Sequence, residues 1–274
     1  MNQDVKPEPK IRPRPYDANY GNFHTQLYEE IRQEAFGEDI GQNSWLTASE
    51  LDQFQEWLRL SAGKKLLDVA CGAGGPALRI ARRTSCSVVG IDLHEQAIAA
   101  ANTRAAESGL AQQAEFRVLS AEQKLPFAEH SFDAVTCIDA INHFHARRQV
   151  MAEWQRVLKP GGRVLFTDPI IVSGPLTDTE IAVRSSAGFY LLVPPGYDEQ
   201  MVVQSGLRLL AAEDRTRNMA EIAGRRRAAR EKRALALRGI EGEQGYETQQ
   251  EFLRVASVLA AESRLSRFLF VAEK

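Results

Sequence analysis

The chain contains few cysteines, and their placement excludes two common uses of this residue. Among its 274 residues are three cysteines, Cys71, Cys86 and Cys137. An odd number of scattered cysteines does not build a disulfide framework, and their spacing does not match that of a zinc site. The sequence therefore predicts no metal centre and indicates a reducing compartment, which we expect to be the cytoplasm.

Long apolar runs and an excess of one charge are also missing. No segment approaches the roughly 20 apolar residues of a membrane-spanning helix, and the proline-rich start lacks the apolar segment of a secretory signal. Lys and Arg number 34 against 36 Asp and Glu, for a formal net charge of −2. We expect neither a membrane span nor a nucleic-acid partner, because surfaces that bind polyanions are usually basic.

What the chain does have is the pattern of a single elaborated α/β domain. From Lys65 onwards, apolar runs alternate with helical stretches, which predicts a doubly wound, mostly parallel sheet with helices on both faces. Residues 1–20, rich in proline, predict a flexible arm. Residues 21–62 predict helices, one of them opened by a capping box from Thr47 to Glu50. Residues 63–274 form the core, with cap insertions at about 170–200 and 213–262.

The same pattern predicts the individual elements of the sheet and its helices. Strands are expected at Lys65–Ala70, Ser87–Ile91, Glu115–Leu119, Phe132–Ile138, Arg163–Thr167, Leu207–Ala211 and Ser266–Val271. Helices are expected at Asn22–Phe36, Ala77–Arg83, Glu95–Ser108, Ala146–Leu158, Asn218–Leu237 and Thr248–Glu262.

The first strand runs into a glycine-rich turn that is typical of a nucleotide cofactor site. Gly72 and Gly74 allow positive φ and a close approach of backbone to ligand, and Pro76 opens a helix whose N-terminus favours electron-rich groups. Asp68, near the end of the strand, suits a cationic amino group better than a pyrophosphate. Asp92 ends the second strand, where an acid binds ribose hydroxyls in doubly wound folds. Both NAD and S-adenosylmethionine sites use such an acid.

Later blocks in the chain distinguish between these cofactors. Ser120-Ala121-Glu122, Leu125-Pro126-Phe127, Ser131 to Val135 and Val157 to Leu165 follow in order. Together with the glycine loop, they make residues 66–168 resemble class I S-adenosylmethionine-dependent methyltransferases of the small-molecule "type 11" group. The resemblance implies a Rossmann-like, seven-stranded sheet whose last strand is antiparallel, and S-adenosylmethionine as cofactor. An NAD oxidoreductase is disfavoured, because Asp68 would repel a pyrophosphate.

The resemblance also implies where the cofactor binds. We expect Asp68 to bind the methionine amino group, Asp92 to bind the ribose, and the helices of residues 21–62 to cover the site. Many relatives have an acid at the position of Ser120, so this sequence departs from the family there, and we expect the turn at Ser120 to contact the adenine through its backbone. Trp45 is expected over the sulfonium as a cation–π partner. The alternatives are that the two acids only cap helices and that Trp45 is a hydrophobic staple. The full predicted set is Asp68, Ala70, Gly72, Gly74, Asp92, Leu93, Ser120, Ala121, Glu122, Ile138 and Trp45.

The segment after the fourth strand supplies the candidate catalytic residues. Asp139 and His143 have helical i, i+4 spacing, so a shared helix face would let the carboxylate orient an imidazole that acts as general base. The alternatives for His143 are packing against substrate and a purely structural role. A metal pair of His143 with His145 is disfavoured, because i, i+2 positions diverge on a helix.

These residues predict methyl transfer to a nitrogen or oxygen of a small organic acceptor. Methylation of carbon on a lipid or quinone-like ring is an alternative, because the apolar stretch Phe189–Val193 would suit a greasy acceptor. A non-catalytic regulatory protein that binds S-adenosylmethionine is another. The basic run from Glu213 to Arg238 predicts a solvated helix face, or alternatively a lid that attracts an acidic substrate. The oligomeric state is not predicted.

Overall fold

The computed structural model describes residues 20–186 and 188–274. The predicted N-terminal arm therefore lies outside the described residues, apart from Tyr20. Within the described chain, no helix has the length and apolar character needed to span a membrane. The same residues contain no group of three or more His, Cys, Asp or Glu side chains placed to hold a metal ion.

Seven strands form one sheet in the order β3-β2-β1-β4-β5-β7-β6. Strands β1 to β5 are parallel to one another, whereas β7 is antiparallel to both β5 and β6. The predicted fold class and the antiparallel last strand are thus confirmed. The strands are β1 (Lys65–Val69), β2 (Ser87–Asp92), β3 (Ala114–Val118), β4 (Phe132–Cys137), β5 (Leu158–Val172), β6 (Arg208–Asp214) and β7 (Leu265–Glu273).

Helices flank the sheet and extend beyond it. They are α1 (Gln26–Phe36), α2 (Ala48–Leu58), α3 (Gly75–Thr84), α4 (Glu95–Glu107), α5 (Arg147–Val157), α6 (Asp178–Arg184), α7 (Tyr197–Gln204), α8 (Thr216–Glu231) and α9 (Ala234–Ala261). The chain runs outward from β1 through β2 to β3 and then returns to β4 on the other side of β1. Such a reversal opens a crevice at the carboxyl ends of the strands, where doubly wound sheets bind ligands.

The central strands are largely apolar because helices cover both faces of the sheet. Leu66, Leu67 and Val69 of β1 are fully buried. Gly90 of β2 has a packing role, because a Cβ there would lie 2.3 Å from Cδ1 of Phe116. The ring of Phe116 on β3 therefore crosses over a strand that has no side chain at this point.

The element boundaries depart from prediction mainly in the cap and in β5. Strand β5 extends to Val172 rather than Thr167, because its antiparallel pairing with β7 continues to Leu265. The two predicted C-terminal helices become α8 and a longer α9, which is broken at Gly242 with φ of 74°. The capping box is half formed: Oγ1 of Thr47 accepts from the backbone N–H of Glu50, while the Glu50 side chain turns to Arg267.

The cap helices and the N-terminal helices share one apolar cluster. Met219 and Ile222 of α8 pack with Leu253 of α9, Phe36 of α1 and Trp45. The basic run on this cap is largely neutralised within the protein, which favours a structural role over attraction of a substrate. Its ion pairs include Arg217 with Glu221, Arg230 with Glu241, Lys232 and Arg233 with Glu34, and Arg238 with Glu247.

Candidate active site

The glycine-rich turn after β1 is shaped by three residues in the left-handed backbone region. Ala70, Gly72 and Gly74 have φ of 55°, 54° and 74°, and α3 begins at Gly75 with Pro76 in its first turn. The turn brings backbone N–H groups to the carboxyl edge of the sheet. This is the geometry in which a helix N-terminus can approach a ligand.

Asp92 joins the turns that follow β1 and β2. Its Oδ2 accepts from the backbone N–H of Gly72 at 2.9 Å, and its Oδ1 accepts from that of His94 at 3.0 Å. The residue is 8% exposed. Because each carboxylate oxygen has a second lone pair, Asp92 can hold both turns and still accept hydrogen bonds from ligand hydroxyls.

An open cavity of about 350 Å³ runs along the carboxyl edge of the sheet. The predicted residues in its lining are Asp68, Ala70, Gly72, Asp92, Leu93, Ser120, Ala121, Glu122, Ile138, Asp139 and His143; Gly74 and Trp45 are not among the lining residues. Tyr20, Gly41 to Ser44, Phe144, Gly188 and Phe189 complete much of the wall. Phe144 and Gly188 carry no motif that would have marked them in the sequence.

The predicted pairing of Asp139 with His143 on one helix face is wrong. Residues Ile141–His143 form a single 3₁₀ turn, and Asp139 precedes it with a φ of 52°. Oδ1 of Asp139 accepts from Nε of Arg267 and from Oγ1 of Thr167, both at 2.7 Å, and Oδ2 accepts from the backbone N–H of Trp45 at 2.8 Å. The carboxylate is thus held by other groups.

His143 is oriented instead by the cap. Its Nδ1 lies 2.9 Å from the carbonyl oxygen of Phe189, and its ring meets Tyr190 edge-on at a centroid distance of 4.6 Å. A carbonyl can only accept, so Nδ1 carries the proton and Nε2 is the basic nitrogen. Burial, followed by the nearby charge of Arg184, lowers the pKa of His143 below 6.5 despite the Phe189 hydrogen bond.

Comparison with known proteins identifies the family of this chain. The family profile described as "Methyltransferase domain" matches residues 67–166. The 27-O-demethylrifamycin SV methyltransferase of Amycolatopsis mediterranei is 30% identical over 214 residues, which cover 77% of this chain and 78% of that protein. The chain belongs to the S-adenosylmethionine-dependent methyltransferases of class I. It is therefore an enzyme, and its cofactor is S-adenosylmethionine.

Other relatives agree with this assignment. Methyltransferase GfsG of Streptomyces halstedii is 35% identical over 179 residues, so the match spans 61% of this chain and 63% of GfsG. Among solved structures, the cyclopropane synthase MmaA2 from Mycobacterium tuberculosis has a TM-score of 0.81 at 18% identity, covering 97% of this chain and all of that one. Phosphoethanolamine N-methyltransferase 2 of Haemonchus contortus, solved with S-adenosyl-L-methionine, has a TM-score of 0.77 at 23% identity, covering 98% of this chain and 62% of that one. These two structures show the shared fold.

The carboxylates of the methyltransferase fit the two polar ends of its cofactor. Oδ1 of Asp68 accepts from Oγ1 of Thr136 at 2.7 Å, and burial, reinforced by the charge of Asp92, raises the pKa of Asp68 to about 7. A cationic amino group nearby would favour the charged form again. Both carboxylates therefore lie in the cavity wall with the chemistry that a cationic amino group and ribose hydroxyls would need.

In the turn after β3, we expect the backbone rather than the side chain of Glu122 to contact the adenine. Oε1 of Glu122 accepts from the backbone N–H groups of His145 and Ala146, at 2.6 and 3.0 Å, and so caps the start of α5. Oγ of Ser120 accepts from the backbone N–H of Glu122 at 3.3 Å. Because these side chains are used locally, we expect adenine contacts from the backbone and from the apolar wall at Ala121.

The structure does not support Trp45 as the partner of the sulfonium. Its ring is 5% exposed and stacks on Phe252 of α9, with ring centroids 6.4 Å apart. The neighbouring residues Gly41 to Ser44 line the cavity in its place. The physical reason is that the indole packs into the apolar cluster that the cap helices share with the N-terminal helices.

Gly74 has a packing role that can be separated from ligand binding. A Cβ at this position would lie 2.8 Å from Cζ of Phe116 and 2.9 Å from Cβ of Ala101. We expect Gly74→Ala to lower the free energy of unfolding by about 1 to 3 kcal/mol more than Gly63→Ala. Gly63 is the matched control, since it also has positive φ but no atom within 4 Å of its Cβ position. Denaturant unfolding measures both, and equal losses would contradict the packing role.

Proposed function

We propose that this methyltransferase methylates a hydroxyl oxygen of a small, largely apolar acceptor, with His143 as general base. The observation that carries the proposal is the contact between Nδ1 of His143 and the carbonyl of Phe189. It assigns the proton to Nδ1 and makes Nε2 the basic nitrogen of the ring. The lowered pKa of His143 keeps the imidazole neutral at physiological pH.

The residues at the acceptor end of the cavity favour a neutral, apolar partner. Ala140, Phe144, Gly188 and Phe189 line this end together with His143. The ring of Phe189 stacks on His145 with centroids 3.7 Å apart, which forms a flat aromatic wall. Flat apolar rings pack well against such a wall.

The carboxylates of the cavity favour a hydroxyl over an ammonium acceptor. Of the acids that line the described part of the cavity, Asp68 and Asp92 are assigned to the cofactor, Glu122 caps α5, and Asp139 pairs with Arg267. An amine substrate arrives protonated at neutral pH and needs a counter-charge near the reacting nitrogen. The name of the 27-O-demethylrifamycin SV relative, which denotes an O-methyltransferase reaction, supports the same choice.

The chain's own residues then have simple tasks in the reaction. When bound, the cofactor supplies an electrophilic methyl group for an in-line displacement. Asp68 would hold its methionine amino group and Asp92 its ribose, so that neither carboxylate neutralises the sulfonium, where it would stabilise the ground state more than the transition state. Phe144 and Phe189 orient the acceptor and exclude water. Nε2 of His143 would take the hydroxyl proton as the oxygen bonds to the methyl carbon and the bond between that carbon and sulfur breaks, with S-adenosylhomocysteine as the leaving group.

We also expect the enzyme to work in the cytoplasm on a small molecule rather than on nucleic acid. The three cysteines are free and buried, which suits a reducing compartment. The formal net charge of −2 supports the second expectation.

Matched acceptors test the choice of oxygen. We expect benzyl-type alcohols to be methylated faster than the benzylamines of the same skeleton, which are protonated at neutral pH, by at least about tenfold in kcat/KM. Such a ratio corresponds to about 1.4 kcal/mol of differential transition-state binding. Mass spectrometry of each pair, incubated with enzyme and S-adenosylmethionine, measures the rates. Faster methylation of the amines would show that the nitrogen is the acceptor atom.

A further inference from the structure

A buried polar network joins the sheet, the N-terminal helices and the cap next to the cavity. At its centre is Asp139, whose side chain is 3% exposed. Its Oδ2 accepts from the backbone N–H of Trp45, and its Oδ1 accepts from Nε of Arg267. Trp45 directly follows residues 41–44, which line the cavity on the cofactor side together with Tyr20 and Gly72. The carboxylate thus ties this wall of the cavity to the end of β4.

Two further contacts bring the cap and α2 into the same network. Nη1 of Arg267 on β7 donates to both carboxylate oxygens of Glu50 on α2, at 2.7 and 3.0 Å. Nδ2 of Asn218 on α8 donates to the carbonyl of Trp45 at 2.9 Å and to Oε2 of Glu50 at 2.8 Å. Trp45 is therefore held through its N–H by Asp139 and through its carbonyl by the cap.

The backbone at Asp139 shows that its position is set by these contacts. Its φ of 52° lies in the left-handed region, which is costly for residues other than glycine. Thr167 stabilises it twice, because Oγ1 accepts from the Asp139 N–H and donates to Oδ1, both at 2.7 Å. Burial by itself would lower the pKa of the Arg267 guanidinium. The nearby carboxylates of Asp139 and Glu50 have the larger effect and raise this pKa.

We propose that Asp139 is a positioning residue for the cofactor, which fixes the wall formed by residues 41–44 through the N–H of Trp45. Arg267 holds the carboxylate in place, and Asn218 links the same wall to the cap. A buried ion pair is a poor source of stability, because desolvation offsets most of its attraction. The ion pair has a role here that two apolar side chains could not fill, because it presents a fixed hydrogen-bond acceptor to the backbone N–H of Trp45. Asp139 would have this role whichever acceptor atom is methylated, because residues 41–44 lie on the cofactor side of the cavity.

Asp139→Asn tests this role, with Asp133→Asn as its matched control. Asparagine keeps the size of the side chain but places an amide donor either against the N–H of Trp45 or against Arg267 and Thr167. Asp133→Asn makes the same change in a carboxylate that also accepts from a backbone N–H, that of Lys65 at 2.9 Å, and pairs with Lys64 and Lys159, but that is not part of the cavity lining. We expect the dissociation constant for S-adenosylhomocysteine to rise roughly tenfold or more in Asp139→Asn. The control should change it by less than about threefold.

Hydrogen exchange separates positioning from a general loss of stability. Amides of the peptide that covers residues 41–46 should exchange faster in Asp139→Asn than in Asp133→Asn, with each variant measured at the same interval below its melting temperature. Equal affinities and equal exchange in the two variants would overturn the proposal. If Asp139→Asn does not fold, Asn218→Ala tests the same wall from the cap side. It should weaken S-adenosylhomocysteine binding and speed exchange of the same peptide, and no change in either would also overturn the proposal.

Discussion

Replacing Asp92 with alanine is expected to weaken S-adenosylmethionine binding by about two orders of magnitude or more. Hydrogen bonds to a charged group contribute about 1.5 to 3 kcal/mol each, and the ribose offers two hydroxyls to this carboxylate. The variant also loses the acceptor that holds the backbone N–H of Gly72 at 2.9 Å and that of His94 at 3.0 Å. Both turns that frame the cofactor would therefore relax together.

Calorimetric titration with S-adenosylmethionine measures this effect, and Asp133→Asn serves as control. Asp133 also accepts from a strand backbone N–H, that of Lys65 at 2.9 Å, but it lies near the amino end of β4 and outside the cavity lining. The control should keep normal affinity even if it loses stability. Normal affinity in Asp92→Ala would show that the ribose assignment is wrong.

His143→Ala is expected to lower kcat by about 10² to 10⁴ while cofactor affinity stays normal. This is the range that general base catalysis supplies. His130→Ala is the matched control, because its Nδ1 also lies 2.9 Å from a backbone carbonyl, that of Leu158, but the residue is not part of the cavity lining. The control should retain most of its turnover. An unchanged kcat in His143→Ala would leave only a packing role for this residue.

The pH dependence of kcat gives the same assignment a second test. The base acts in its neutral form, so the rate should be lost as the pH falls through the pKa of His143, which burial lowers below 6.5. The rate should therefore be level at neutral pH and fall only in the acid range. Saturating cofactor is needed, because Asp68, with a pKa raised to about 7, titrates in the free enzyme as well. The acid limb should disappear in His143→Ala.

The parts of the fold that follow from local signals could be predicted from the sequence. Apolar runs set the strands, and positive φ at Gly72 and Gly74 sets the turn after β1. The presence of Asp92 in the cavity wall follows from its place at the end of β2. Such features depend on a few neighbouring residues, which is why the alternation of elements and the order of the cofactor segments are predictable.

The roles that depend on distant partners could not be predicted. The spacing of Asp139 and His143 favours a helix, but Arg267, which lies 128 positions further along the chain, takes the carboxylate instead. Trp45 likewise turns to Phe252 on a cap helix. The partner of His143 is a backbone carbonyl at Phe189, which no pattern of side chains can reveal.

The most direct test of the proposed reaction is to identify the atom that receives the methyl group. A cell extract of small molecules is incubated with the enzyme and S-adenosylmethionine carrying a carbon-13 methyl, and the labelled product is isolated by mass spectrometry. The account predicts a product whose carbon-13 chemical shift is that of a methoxy group, and no such product with His143→Ala. A labelled methyl on nitrogen or carbon, or the same product in equal yield from His143→Ala, would contradict it.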